Sequence, residues 1–195
     1  QQLISKNEEL DLLFYRSSHD FRRPLVSLLG LSEFAGLTAK SEARQILEMV
    51  ATTAAEMDNM FNKFNSLYRI NHYEDEFEQD TIEEILLQQA KLARESEASL
   101  TIKTDSLPEN TPDSKNLLIR IILENLLENS INYKSPERSA RITLRLTRIG
   151  ETLEIIFEDN GVGIDEQYID QVFDMYFKAN LNSKGNGLGL YVVSK

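Results

Sequence analysis

The chain contains no cysteine, which excludes disulfides, thiol catalysis and zinc sites built on thiolates, and asks for no oxidising compartment. Histidine is nearly as scarce: His19 and His72 are the only two, too few for a histidine-rich metal cluster. Basic residues are in deficit, with 21 Lys and Arg against 32 Asp and Glu for a formal charge of −11, and no basic stripe concentrates them. A nucleic-acid partner is therefore not expected, because a groove binder needs clustered positive charge. No run of about 18 apolar residues occurs and no signal-peptide pattern opens the chain. These residues are accordingly expected in the cytoplasm without membrane contact, any anchor of a longer parent lying outside them. What is present is enough for at least one substantial core: 195 residues, 41% of them hydrophobic, in one large domain or two small ones.

Leu10, Phe14, Ser17, Phe21, Pro24, Leu28, Leu31 and Ala35 follow one another in alternating steps of four and three, the spacing of a helix packed along a seam. Ile46, Val50, Thr53, Met57, Met60, Phe64 and Leu67 repeat it. Between them "GLTAKSE" has the glycine and small polar residues that end one helix and begin another, so an antiparallel helical hairpin is expected over the first 71 or so residues. A lone hairpin buries only one side of each helix well. Either a homodimeric four-helix bundle or docking against the rest of the chain would cover the other side. Within "YRSSHDFRRPLVSLLGL", His19 lies two residues from both Ser17 and Phe21, so it points away from the seam. Arg23 shares its face, Asp20 approaches from the side, and Pro24 loosens the helix just beyond. An exposed imidazole beside an acid suits nucleophilic attack on phosphorus, although an ordinary surface histidine has the same appearance.

After the acidic junction "HYEDEFEQD" the pattern changes. "TIEEILLQQAKLARESEA" reads as a helix with Ile82, Ile85, Leu86, Gln89 and Leu92 along one side, "SLTIKTD" as a short strand, and "KNLLIRIILENLLENSINY" as a long helix. "ARITLRLTRI" and "ETLEIIFEDN" flank Gly150 as a β-hairpin. This order predicts an α/β sandwich whose sheet is covered on one face. Asn125 and Asn129, with Asn132 and Tyr133 near in angle, form a polar ribbon that is either a core hydrogen-bond network or the wall of a ligand site. "DNGVGI" places Asp159 at a strand end followed by Gly161 and Gly163, which is either a glycine-rich turn or a close backbone approach to a ligand. "GNGLGL" supplies Gly185, Gly187 and Gly189 before a helix start, where N–H groups can hold phosphate oxygens.

In this order the motifs resemble the transmitter region of a sensor histidine kinase: a dimerisation and histidine-phosphotransfer hairpin, then an ATP-binding domain of the GHKL type shared with gyrase, Hsp90 and MutL. "SSHDFRRPLVSLLGLSE" is similar to that family's H box, "ILENLLENSINY" to its N box, "DNGVGI" to its G1 box, "VFDMYFKA" to its F box and "GNGLGL" to its G2 box. The resemblance implies a division into residues 1–72 and 73–195. The second part is expected to be incomplete, since relatives continue through a further pair of strands. It also implies His19 as phosphoacceptor and Asp20 as general base. ATP and Mg2+ are the implied cofactors: Asn129 as the metal ligand; Asn125, Tyr133, Asp159, Gly161, Gly163, Lys178, Gly185, Gly187, Leu188 and Gly189 around the nucleotide. The implied partners are a second copy of the chain and the receiver domain of a response regulator, which takes the phosphoryl group on an aspartate.

Two departures stand out. Arg23 occupies the position where bifunctional relatives have threonine or asparagine, and a fixed-charge donor does not orient water as a neutral hydroxyl or amide does. Phosphatase activity is therefore not expected to accompany the kinase. Asn132 stands where lysine is usual. Two other classes remain compatible with the residues: a dimeric ATP-binding signalling scaffold without kinase activity, and a GHKL-type ATPase using Glu124 or Glu128 to activate water.

Overall fold

The structure is a computed structural model that describes residues 22, 25–37, 41–72, 80–105, 107, 114–179 and 187–195. The chain separates into two units, Gln1–Asn71 and His72–Lys195. The first is helical: α1 over residues 25–37 and α2 over Ser41–Asn71. Polar contacts at two levels hold the helices antiparallel. Arg22 donates through Nε to Asp58 Oδ1 at 3.3 Å and through Nη2 to Asn62, while Arg44 Nε donates to the Gly36 carbonyl at 3.2 Å. The Arg44 contact satisfies a carbonyl at the C-terminal end of α1 that has no partner within its own helix.

Leu25 and Ala54 are buried in this unit. The expected seam is not closed within one chain: Leu28, Leu31, Ile46, Val50 and Met57 are all exposed, Leu31 at 66% and Ile46 at 63%. Two helices have too little facing surface to cover every apolar position they carry. Among the described residues no helix is long and apolar enough to cross a membrane.

The second unit is a mixed sheet and helix domain. Its first helix, α3 (Ile82–Glu95), starts at a capping box in which the Glu84 N–H donates to Thr81 Oγ1 at 3.3 Å and the Thr81 N–H donates to Glu84 Oε2 at 2.8 Å. It ends in a Schellman motif. The Ala98 N–H reaches back to the Ala93 carbonyl at 2.8 Å and the Glu97 N–H to the Arg94 carbonyl at 3.0 Å, which requires Glu97 to adopt φ +60°. Ile82, Ile85, Leu86, Gln89 and Ala93 are the buried positions. Leu92, expected on this face, is 44% exposed, because the row set by Ile82, Ile85 and Gln89 continues four residues on at Ala93.

Strand β1 (Ser99–Asp105) pairs parallel with β2 (Arg141–Ile149), and β2 pairs antiparallel with β3 (Thr152–Asp159). Between β1 and β2 runs α4 (Ser114–Asn132). The expected hairpin turns at Gly150 and Glu151, with Ile149 opposite Thr152 and Gly150 at φ +63°, the first central position of a type II′ turn. Leu144 and Leu146 from β2, with Leu153, Ile155 and Phe157 from β3, meet Ile82, Ile85 and Leu86 of α3 and Ile119 and Leu123 of α4. Each fully buried Leu or Ile there contributes about 1.5–3 kcal/mol. The other face carries Arg141, Arg145, Glu154 and Glu158 and is left to solvent, which is the one-sided covering expected of the sandwich.

Just before α3, Asp80 accepts from Gln88 Nε2 at 2.8 Å and from Arg120 of α4, and Arg120 also donates to Gln88. Gln88 first and Arg120 second hold the Asp80 carboxyl below the usual carboxylate range, against a smaller opposing effect of desolvation. A carboxylate lowered in the folded state stabilises the fold above its unfolded pKa, and that contribution disappears as pH falls through the folded value. Asp80→Asn is therefore expected to flatten the dependence of stability on pH below about pH 4, measured by denaturant unfolding across an acid series. Glu97→Gly is expected to stabilise the unit by about 0.5–1 kcal/mol, because only glycine takes a left-handed φ without steric cost; chemical denaturation reads it directly.

Candidate functional site

α4 is the element around which the predicted site residues gather. Asn125 and Asn129, one turn apart, share the face that meets Gly189 at the start of α5 (Gly189–Val193). A Cβ on Gly189 would sit 3.3 Å from Asn129 Oδ1 and 3.5 Å from Asn125 Oδ1, so the glycine lets the α5 backbone settle on both amides. Asn125 is buried and donates through Nδ2 to the Ile121 carbonyl at 2.7 Å. Asn129 is only half-buried. Asn125 thus takes the hydrogen-bonded core role, and Asn129 keeps the more open position. Asn132, grouped with them by angle alone, instead lines a groove between α4 and α3.

The second cluster joins the C-terminal half of α4 to the end of β3. Asp159 Oδ2 accepts from Ser130 Oγ at 3.0 Å, and its Oδ1 accepts from the Gly161 N–H at 2.7 Å. Both oxygens are held once and each retains a lone pair, so the exposed carboxylate has a fixed orientation with accepting capacity left. The following loop docks against the helix end: the Val162 N–H donates to the Tyr133 carbonyl at 3.0 Å, and Arg138 Nη2 donates to the Gly161 carbonyl at 2.7 Å. A Cβ on Gly161 would lie 2.6 Å from the Tyr133 oxygen. Gly163 is glycine for another reason, its φ of +76° in otherwise open space. Tyr133 itself is 39% exposed beside this loop.

A third group brings the segment carrying Lys178 to the last glycines. The Tyr176 N–H donates to the Gly187 carbonyl at 3.0 Å, with both residues at positive φ, +65° and +71°. A Cβ on Gly187 would approach the Phe177 carbonyl to 2.7 Å. Phe177 packs its ring at 5.6 Å from Tyr168, steadying the residue next to half-buried Lys178. Leu188, expected beside the nucleotide, is fully buried. His19, Asp20, Arg23, Pro24 and Gly185 lie outside the described residues.

Ser130 and Arg138 were not singled out by the sequence. Ser130 immediately follows Asn129, a position whose hydroxyl becomes informative only once β3 is known to end beside it. Arg138 sits in a short polar connection and acts through a backbone carbonyl, which leaves no spacing signature. Among the described residues no three His, Cys, Asp or Glu side chains converge as a metal cluster. A cation here would therefore rely on a neutral oxygen such as Asn129 Oδ1 together with phosphate and water. Mg2+ is ordinarily held in that way, with few protein ligands and retained waters. The donor set fits a magnesium nucleotide: an oriented carboxylate, amide oxygens, and glycine backbone with no side chain in the way.

Residues 114–195 match the family described as histidine kinase-, DNA gyrase B-, and HSP90-like ATPase. The chain is 29% identical over 200 residues to the methanogenesis regulatory histidine kinase FilI of Methanothrix harundinacea, covering 100% of this chain and 22% of that protein. It is 23% identical over 206 residues to the histidine protein kinase SaeS of Staphylococcus aureus, covering 100% of this chain and 58% of that one. In both cases it spans less than two thirds of the relative's length. Among solved structures, the Acinetobacter baumannii histidine kinase AdeS aligns with a TM-score of 0.52 over 88% of this chain and 82% of its own, at 15% identity, a likeness of fold.

The glycine contacts generate a paired expectation. Gly161→Ala drives a methyl into the Tyr133 carbonyl and is expected to lower stability by about 1–3 kcal/mol. Gly30→Ala, in α1 with nothing within 4 Å of the added carbon, is expected to raise it by up to about 1 kcal/mol. Urea titration of the two variants beside the parent chain checks both.

Proposed function

Because residues 114–195 match the family described as histidine kinase-, DNA gyrase B-, and HSP90-like ATPase and a helical region precedes them, we propose that the protein transfers the γ-phosphoryl group of ATP to His19 and then to an aspartate of a response-regulator receiver domain. The observation that carries this reading is the convergence on α4 of Asn129 against Gly189 and of Ser130 against Asp159 and Gly161.

In this reading Asp159 accepts a hydrogen bond from the adenine amino group, its orientation set by Ser130 and the Gly161 N–H. Asn125 holds the α4 face that Gly189 packs on, and the exposed ring of Tyr133 and the unobstructed backbone at Gly163 border the base. Asn129 would hold Mg2+ through its amide oxygen, and the ion would offset the phosphate charge that an acidic protein otherwise repels. Backbone N–H groups of Gly185, Gly187 and Gly189 and the Lys178 ammonium receive the phosphate oxygens. An imidazole nitrogen of His19 attacks the γ-phosphorus in line as the bond to the β,γ-bridging oxygen breaks and ADP leaves, and Asp20 orients the ring and accepts its proton. Arg23, a fixed-charge donor where a neutral side chain would position water, does not serve hydrolysis of the regulator's aspartyl phosphate, so this reading includes no phosphatase step.

The exposed apolar row of Leu28, Leu31, Ile46, Val50 and Met57 supports a homodimer, in which two hairpins bury one another's remaining sides as a four-helix bundle. A conformational ATPase would need a water-activating carboxylate beside the glycine loops. Glu124 and Glu128, the acids that could serve, line the groove toward α3 instead. A scaffold without activity is separated from the kinase by labelling. Incubation with γ-labelled ATP and Mg2+ is expected to give acid-labile label on the parent protein and none on His19→Gln. Absence of label on both would overturn the kinase reading, and equal label on both would overturn the assignment of His19.

A further inference from the structure

Hydrogen bonds tie the connection between α4 and β2 to the loop that follows β3. Asn160 Nδ2 donates to the Ser139 carbonyl at 3.0 Å, Arg138 Nη2 to the Gly161 carbonyl at 2.7 Å, and the Val162 N–H to the Tyr133 carbonyl at 3.0 Å. The Gly161 carbonyl and the Val162 N–H belong to one planar trans amide and point in opposite directions, so Arg138 and Tyr133 grip the same peptide plane from its two sides. On the other flank the Asn160 N–H donates to the Arg141 carbonyl at 3.1 Å and fixes the end of β3. Between these anchors lies the Asn160–Gly161 peptide, whose N–H holds Asp159 Oδ1 at 2.7 Å. Glycine's own dihedrals are too free to keep that N–H in place, so its position depends on the anchors.

Arg138 is the only anchor here supplied by a charged side chain. The residue is exposed, so water competes for both partners and the bond adds little to stability. A charged donor nevertheless makes a short, directional bond. It takes the carbonyl and not the carboxylate, which leaves the remaining lone pairs of Asp159 for a ligand. We propose that Arg138 is a positioning residue for base selection: by holding the Gly161–Val162 peptide it keeps the Gly161 N–H on Asp159, and so keeps that carboxylate aimed at the 6-amino group of adenine. The inference rests on the reading of Asp159 as the adenine acceptor and adds the residue that sets its aim. Without the Arg138 bond the peptide retains its Tyr133 anchor alone and can turn about it. Asp159 is then held by Ser130 at one oxygen, and the other swings. The consequence falls on the base: loss of a positive charge weakens every nucleoside triphosphate alike, whereas loss of aim weakens only one that carries the amino group.

The test measures binding of ATP and of purine riboside triphosphate, which lacks only the 6-amino group, to the full chain with Mg2+ by isothermal titration calorimetry. The parent protein is expected to prefer ATP by about tenfold or more, the worth of one hydrogen bond to a charged group. Arg138→Met, similar in length but without a donor, is expected to reduce that preference to about threefold or less. Taking the ratio cancels the general effect of the lost charge. A preference left at its parent value overturns the proposal and leaves the ATP site standing, whether both nucleotides weaken together or neither does. A parent protein that binds no ATP, or binds the two equally, overturns the reading of Asp159 and this inference with it. If Arg138→Met does not fold, Arg138→Leu, equally without a donor, is measured in its place. Failure of both to fold makes the bond a structural one and overturns the proposal as well.

Discussion

The second unit is organised by one constraint: α4 is buried around most of its circumference, so each buried polar residue on it must find a partner, in its own helix or in a neighbouring element. Leu117, Ile121 and Leu123 have almost no exposure, and Asn116, Asn125 and Ser130 are buried among them. Where such residues are paired, their partners are the parts of the fold that matter. Asn116 Nδ2 donates to the Asp80 carbonyl at 3.2 Å, joining α4 to the start of α3; Asn125 bonds within the helix; Ser130 reaches the end of β3. In a low-dielectric interior these bonds are strong and their loss is costly, so they fix position as much as they add stability.

That constraint explains why the sheet needs so little else to aim its loops. The antiparallel pairing of β2 with β3 delivers Asp159 opposite Ile142, in register with the buried strand at the centre of the sheet. Asn160 then closes the strand end, accepting from the Arg141 N–H at 2.8 Å and donating through Nδ2 to the Ser139 carbonyl at 3.0 Å. The glycines that follow inherit a defined starting point. Their lack of side chains matters where backbone meets backbone, at Gly161 and Gly187, more than as general flexibility.

Much of this was legible from residue order. The helix α3, the hairpin around Gly150 and the long helix α4 are local features, written in windows of a few residues, and the structure has them where the spacing put them. The division of labour on α4 was not legible. Angles on an ideal helix group Asn132 with Asn125 and Asn129, but they do not say that α3 lies along one side of that ribbon and α5 along the other. Leu92 and Ala93 exchanged roles for the same reason: a helical wheel is blind to which neighbour is bulky. Ser130 became significant only through a strand end nearly thirty residues away, a long-range coincidence that no periodicity encodes. On the helical hairpin the apolar seam was readable, yet a repeat of four and three specifies a surface to be covered and not the surface that covers it.

The hydrogen bond between the Tyr176 N–H and the Gly187 carbonyl brings two points of the chain together with ten residues between them. A segment whose two ends are pinned at one place can change length with little effect on its surroundings, since doubling such a loop adds only about 0.6 kcal/mol of closure entropy. The stretch between Tyr176 and Gly187 is thus a place where insertions and deletions can accumulate while the pieces on either side stay in register, making it the natural point for related chains to diverge in length.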